Sequence, residues 1–403
     1  MRILGNRDFR LLWSSNAISG IGSWLLIVAL PVQVFALTGS AAATGLTLAL
    51  ESLPALVIGP WAGAFLDRWN LPKAMWLADL TSAAAVASIL LADRPERVWI
   101  IYTAVLAENI ATTVFRPASR ALIPAVVGTG DELAAANSLT AFSGSVIRLA
   151  APPLGALLLA GPGIRFVLIT DVVSYLLSAA IIARINRTPA PSDKQEERGA
   201  LHGLRYLRHS KILRGILAGN GVFLTANAGL TALLVPLTVE RLHAPGYAIG
   251  YLISGLGAGF LVGAAISARA QTWLSVRNLL IATQLATAAA FFALVNAPSI
   301  SWGIAAAALL GIPGSVLLIT AETTVQRITP TGMLARIGAL FFAMDSLSVI
   351  VGALIAPALI KLAGLPTALN LLAAAALLAA PITLFAVPSH PAALTRPKLS
   401  EPH

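Results

Sequence analysis

The chain contains no cysteine, which excludes disulfides and thiolate metal sites. Charge is scarce as well. Only 11% of residues are Asp, Glu, Lys or Arg, against about 25% in soluble domains. The scarcer sign is the acidic one, with 17 Asp and Glu against 27 Lys and Arg. Histidines number five: His202, His209 and His243 fall in loops and His390 and His403 in the tail, a spacing that fits neither a zinc site nor a catalytic triad. No G-x-x-x-x-G-K-[ST] phosphate loop is present, so the chain itself carries no Walker-type ATP site. These absences leave no enzymatic constellation and no cofactor to expect. Any work the protein performs must draw on an ion gradient or on the substrate's own gradient.

Apolar sequence fills the space. Hydrophobic residues make up 57% of the 403, and the mean hydropathy is +0.83. Runs of roughly 20 apolar residues recur, each long enough to cross a hydrocarbon layer of about 30 Å. They lack the period-two alternation of a barrel, so helices must satisfy the backbone in lipid. The expected fold is an all-α polytopic membrane protein of twelve helices. They are expected at 10–36, 44–66, 74–91, 98–115, 137–160, 164–184, 213–238, 246–268, 277–296, 300–320, 337–360 and 366–387. The first run, behind Arg2, Arg7 and Arg10, is too long for a signal-peptide core and is expected to remain as a span.

With both termini inside, cytoplasmic segments collect 21 of the Lys and Arg residues and the opposite face five, with Arg148 inside a span. That asymmetry satisfies the positive-inside rule, and contact with anionic lipid heads accounts for the net charge of +10. Nucleic-acid binding is not needed to explain it. The expected organisation is a six-helix bundle over 1–186, a cytoplasmic linker over 187–212, a second bundle over 213–388 and a tail over 389–403. Within the linker Leu201, Leu204 and Leu207 form one helical stripe beside arginines, as in an amphipathic helix lying in the interface. Pro31 and Gly45 recur 205 residues later as Pro236 and Gly250. This points to two parallel repeats with a path between them.

Ionisable residues inside spans are costly and mark function. Glu108 and Arg148 each stand about ten residues from a span end, at similar depth. They are expected to pair, with protonation of Glu108 releasing the arginine; the alternative is a static pair that fixes packing. Asp345 is the one deep carboxylate of the second half, and Glu51 and Asp171 lie in the outer half of their spans. All five are proton-coupling candidates. Asp79 is expected to pair structurally with Arg116. Candidates for lining a substrate path are Asn16, Trp24, Gln33, Asn220, Phe223, Asn227, Gln284, Trp302, Phe341 and Phe342. Aromatic rings with a few amides suit a small amphipathic organic molecule.

Between the second and third spans stands Gly63-Ala-Phe-Leu-Asp67-Arg68-Trp-Asn-Leu-Pro-Lys73. The chain opens with Asn6-Arg-Asp-Phe-Arg-Leu-Leu-Trp13, and further along come Phe115-Arg-Pro-Ala118, Ala121-Leu-Ile-Pro124, Ala135-Ala-Asn137 and Gly203-Leu-Arg-Tyr-Leu207. In order and spacing these resemble a major facilitator superfamily transporter over nearly the whole chain, of the bacterial drug, macrolide-efflux and enterobactin-exporter type of proton antiporter. The resemblance implies a monomer in the bacterial inner membrane that exchanges substrate for protons. It also implies that Gly63, Asp67, Arg68 and Lys73 form a cytoplasmic latch, to which Asp345 is a candidate acceptor. Asn70-Leu71-Pro72 replace the Gly and basic residue of that loop pattern. Arg148-Leu-Ala-Ala-Pro152-Pro153-Leu-Gly155-Ala resembles an antiporter motif, with Ala151 and Ala156 in place of two glycines. Open alternatives are a dedicated siderophore or metabolite exporter, a lysolipid flippase, or a non-transporting membrane sensor or scaffold.

Overall fold

The computed structural model describes residues 2–59, 61, 69–128, 131–185, 200–330 and 333–388. All regular structure among them is helical. We label the helices α1 (Arg7–Thr38), α2 (Ala41–Val57), α3 (Leu71–Ile89), α4 (Val98–Val127), α5 (Asp131–Ala160), α6 (Ile164–Ile182), α7 (Ala200–His209) and α8 (Lys211–Ala232). They continue as α9 (Ile249–Trp273), α10 (Val276–Val295), α11 (Ile300–Ile328), α12 (Leu334–Ala363), α13 (Leu365–Leu377) and α14 (Ala379–Ala386). Nine spans among the described residues are long and apolar enough to cross a membrane, α13 with α14 counting as one. A tenth arises if α8 and the helical segment Leu234–Arg241, bent by 50° at their break, count together. The break precedes Pro236, which cannot donate a backbone hydrogen bond. Pro31, its counterpart in the first half, leaves α1 unbroken.

Side-chain caps begin α1, α2, α3 and α10. The Asn6 side chain accepts from the backbone N–H of Asp8 and Phe9 and donates to the Val126 carbonyl at 3.1 Å, tying the start of α1 to the end of α4. Asn70 accepts from the Lys73 N–H at 3.0 Å, and Pro72 occupies the first turn of α3. The residues that depart from the loop pattern therefore build a helix start.

The chain forms two compact units: Met1–Gln195 with Ala232–Ser254, and Glu196–Thr231 with Gly255–His403. In the first, α1 packs on α5 and α6, α3 on α4 and α6, and α2 on α4. It has two apolar clusters. One contains Leu25, Val86, Ile101, Val105 and Leu168, the other Phe9, Leu12, Met75, Leu122 and Ile182. Between the stretches that supply them, α1, α3 and α6 carry buried Ser15, Ser19, Asp79, Ser82, Asp171, Ser174 and Ser178. A polar stratum thus crosses the middle of an apolar bundle.

The same unit includes the turn from α8 to α9. Val235 and Ile249 pack with Val28 of α1 and Ala156 of α5. A Cβ on Gly250 would stand 2.8 Å from the Pro152 carbonyl oxygen, and one on Gly155 would stand 2.7 Å from that of Leu25. Only glycine permits both approaches.

In the second unit α10 packs on α11, α13 and α14, and α12 on α13 and α7. Gly255, Gly259 and Gly263 lay the α9 backbone directly on α11 between Ile304 and Ser315, the small-residue crossing common in lipid. On the amphipathic α7, the Tyr206 hydroxyl donates to the Ile328 carbonyl at 3.3 Å, fastening the linker helix to the end of α11.

Candidate functional site

The polar stratum of the first unit contains the strongest constellation. Glu108 lies on α4, with Arg116 about two turns further along the same helix. From α6, the Tyr175 hydroxyl donates to Glu108 Oε1 at 2.7 Å. That hydroxyl is also 3.0 Å from Ser23 Oγ on α1, and Ser23 in turn reaches the Ser19 carbonyl at 3.0 Å. Tyr175 is 5% exposed, while Ser23 and Glu108 are half-buried. Asp171 stands one turn before Tyr175 on α6 and is fully buried. Its Oδ1 accepts from Ser174 at 3.3 Å, while its Oδ2 has no hydrogen-bond partner among the described residues. Space for Asp171 and Ser174 exists because Gly22 of α1 has no side chain there. Glu51 of α2 and Asp171 both lie within electrostatic range of Glu108, as does Arg116. Two carboxylates and a guanidinium from α2, α6 and α4 therefore each act on Glu108.

Arg148 does not join Glu108. The single ion pair within 4.0 Å among the described residues links Arg97 and Asp93 at a loop. Instead the Arg148 guanidinium lies over the Trp24 ring, 5.4 Å from its centroid. The expected Glu108–Arg148 pair is thus replaced by a tyrosine hydrogen bond on one side and a cation–π contact on the other. The reason is azimuth. Glu108 faces α6, whereas Arg148 shares the stripe of Pro152 and Gly155 that faces α1. The Asp79–Arg116 pair is likewise absent: Asp79 is buried on α3 and its Oδ2 lacks a hydrogen-bond partner, while Arg116 is exposed.

The other candidates scatter. Asp345 is half-buried on α12 and bonds to none of the described residues. Asn16 donates to the Leu12 carbonyl and accepts from Ser119 at 3.1 Å, holding α1 to α4. Gln284 is buried and donates to Thr383 at 2.9 Å, joining α10 to α14. Phe223 packs on Phe291, with centroids 6.2 Å apart. Gln33, Asn220, Asn227 and Phe341 are half-buried. Trp302 and Phe342 are exposed, Trp302 in the first turn of α11. Pro152 and Gly155 are buried in the close approaches given above, and Pro153 is half-buried. Lys73 is exposed at the start of α3, and Gly63, Asp67 and Arg68 lie outside the described residues. Sequence reading missed Tyr175 and Ser23. The available signal was the Asp171–Tyr175 spacing of four, which puts two polar groups on one face of a mostly apolar span.

Comparison with known proteins places the chain in a family. Residues 3–401 match the family described as transmembrane secretion effector, MFS_3. The enterobactin exporter EntS of Escherichia coli O1:K1 is 27% identical over 352 residues, covering 86% of this chain and 83% of that one. EntS of Escherichia coli O127:H6 matches to the same extent. Among solved structures, the nucleoside transporter NupG superimposes with a TM-score of 0.78 at 12% identity, covering 94% of this chain and all of that one. A bacterial homologue of the iron transporter ferroportin, in an inward-facing state, gives 0.73 at 13%, covering 94% of this chain and 98% of that one. These structures share the fold. The chain is therefore a multi-pass membrane transporter of the major facilitator superfamily, in its transmembrane secretion effector family.

Proposed function

We propose that this transporter is a secondary active exporter of amphipathic small molecules, driven by proton antiport in the bacterial inner membrane. In this reading the chain is a lipid-embedded monomer of twelve spans in two pseudo-symmetric six-helix bundles, 1–186 and 213–388, with both termini cytoplasmic. The observation that carries the coupling is the Tyr175 hydrogen bond to Glu108 within a polar stratum that has no other evident task. Hydroxyls can reverse their donor direction, so the chain stays satisfied in two protonation states. With Glu108 ionised, Tyr175 donates to the carboxylate. With Glu108 protonated, the acid donates to Tyr175, Tyr175 to Ser23, and Ser23 to the Ser19 carbonyl. Such a switch changes the hydrogen bonding of α1, α4 and α6 together. Glu51 and Asp171 supply further proton acceptors in the first unit, and Asp345 one in the second.

Alternating access needs contacts that form and break. In this reading the glycine-tight packing of Gly250 on Pro152 is one such contact, on the side opposite the cytoplasm. In this reading Gly63, Asp67, Arg68 and Lys73 latch the cytoplasmic side. Everted vesicles test the reading: adding a transported compound should dissipate a preformed proton gradient, and Glu108→Gln should abolish that response.

A second reading, export of one dedicated metabolite or siderophore, is favoured by the similarity to enterobactin exporters. Accumulation of a single compound inside a deletion strain would select it. A lysolipid flippase would instead move labelled lysolipid between leaflets, and a non-transporting sensor or scaffold would move nothing.

A further inference from the structure

Arg148 is a charged residue on a membrane-spanning helix with no acidic partner within 4.0 Å among the described residues. A guanidinium at membrane depth costs several kcal/mol unless it meets a partner or water. The Trp24 ring offsets part of that cost by presenting its negative face, a contact of about 0.5–2 kcal/mol. The helix face that carries Arg148 turns toward α1 at its next turns. One turn beyond Arg148, the stripe carries Ala151, Pro152 and Gly155, all buried, with Gly155 against the α1 backbone and Pro152 against Gly250. Arg148 nonetheless remains exposed, so its guanidinium opens into space bordered by α1 and α5 rather than into packed protein. A second cation adds to the field there, because the exposed Arg116 of α4 lies within electrostatic range of Arg148. The one carboxylate acting on Arg116, Glu108, is already engaged by Tyr175.

We infer that Arg148, stacked on Trp24 and supported by the charge of Arg116, is a binding site for the anionic group of an aromatic or otherwise planar substrate. A guanidinium is suited to this because its fork pairs with carboxylate or sulfonate oxygens in two-point fashion, and its plane remains free to stack. Trp24 then performs two tasks: it holds the guanidinium in place and offers apolar surface to the substrate ring. The inference rests on the exporter reading and narrows its substrate from amphipathic molecules in general to amphipathic organic anions. It also assigns Arg148 to substrate recognition and leaves proton movement to the carboxylates.

A matched pair of permanently charged probes tests it: 1-pyrenesulfonate and (1-pyrenylmethyl)trimethylammonium, titrated against the full-length protein in neutral-lipid nanodiscs. The wild type should bind the sulfonate about tenfold more tightly than the ammonium, the scale of one charge-assisted contact. Arg148→Ala should erase the preference. Arg148→Lys should keep part of it, since charge remains but the planar fork is lost. Trp24→Ala should weaken sulfonate binding about two- to fivefold, as expected for loss of a cation–π contact. Equal or tighter binding of the ammonium by the wild type would overturn the inference, whether or not the variants fold. So would an Arg148→Ala protein with a wild-type gel-filtration profile that still prefers the sulfonate. Failure of the exporter reading looks different: the sulfonate would bind in nanodiscs, yet no probe would cross vesicles carrying the wild type.

Discussion

The Tyr175 hydroxyl donates to Glu108 Oε1 at 2.7 Å, joining α6 to α4 at the level where α1 contributes Ser23. Removing the donor alone isolates its role. Tyr175→Phe keeps the ring and its packing but leaves the carboxylate without its hydrogen bond, a loss of about 1.5–3 kcal/mol for a charged acceptor. Proton-coupled efflux should fall by roughly an order of magnitude or more, with the protein still inserted in normal amount. Vesicle efflux normalised to expression checks this, and wild-type coupling in Tyr175→Phe would remove Tyr175 from the mechanism.

Gly250 and Gly155 should tolerate no larger residue. A Cβ at either position meets a backbone carbonyl oxygen at 2.8 or 2.7 Å. Gly155→Val should destabilise the protein by ~1–3 kcal/mol, the usual cost of overpacking. A fall in thermal unfolding temperature of the purified protein is the expected readout. Gly144→Ala on the same helix, where a Cβ meets nothing within 4 Å, should be silent.

Gln284 looks from sequence like a substrate-lining amide, yet it is buried and bonded to Thr383 across α10 and α14. Gln284→Leu should therefore leave substrate affinity unchanged and cost about 0.6 kcal/mol of stability, typical of a polar contact between membrane helices. A changed substrate affinity with unchanged stability would restore it to the pathway.

Asn70 should prove structural. Asn70→Ala removes the cap of α3 and should cost about 1 kcal/mol. Asn70→Asp should retain the cap. Thermal stability of the two variants separates capping from any role of the asparagine in substrate or proton movement.

Composition made the fold class legible, because 11% charge and repeated apolar runs permit little besides a helical membrane protein. Position along a helix was legible too: Glu108 and Arg148 stand well away from the ends of α4 and α5. Azimuth was not. A helix turns about 100° per residue, so a small rotation decides whether Arg148 meets Glu108 or Trp24, and that rotation is set by packing at Gly155 and Gly20. Hydrogen bonds between remote segments, such as Ser23 to Tyr175, leave no local pattern in the chain. Likewise, the departure at Asn70-Leu71-Pro72 appears in sequence as a lost charge, but capping explains it once α3 is seen to begin there.

Glu108 is the residue on which proton coupling depends most directly. The decisive measurement is substrate-induced collapse of a proton gradient in everted vesicles, comparing wild type with Glu108→Gln at equal expression. Wild type should dissipate the gradient on substrate addition, while Glu108→Gln leaves it intact and still binds substrate. Equal dissipation by the two proteins would contradict that dependence.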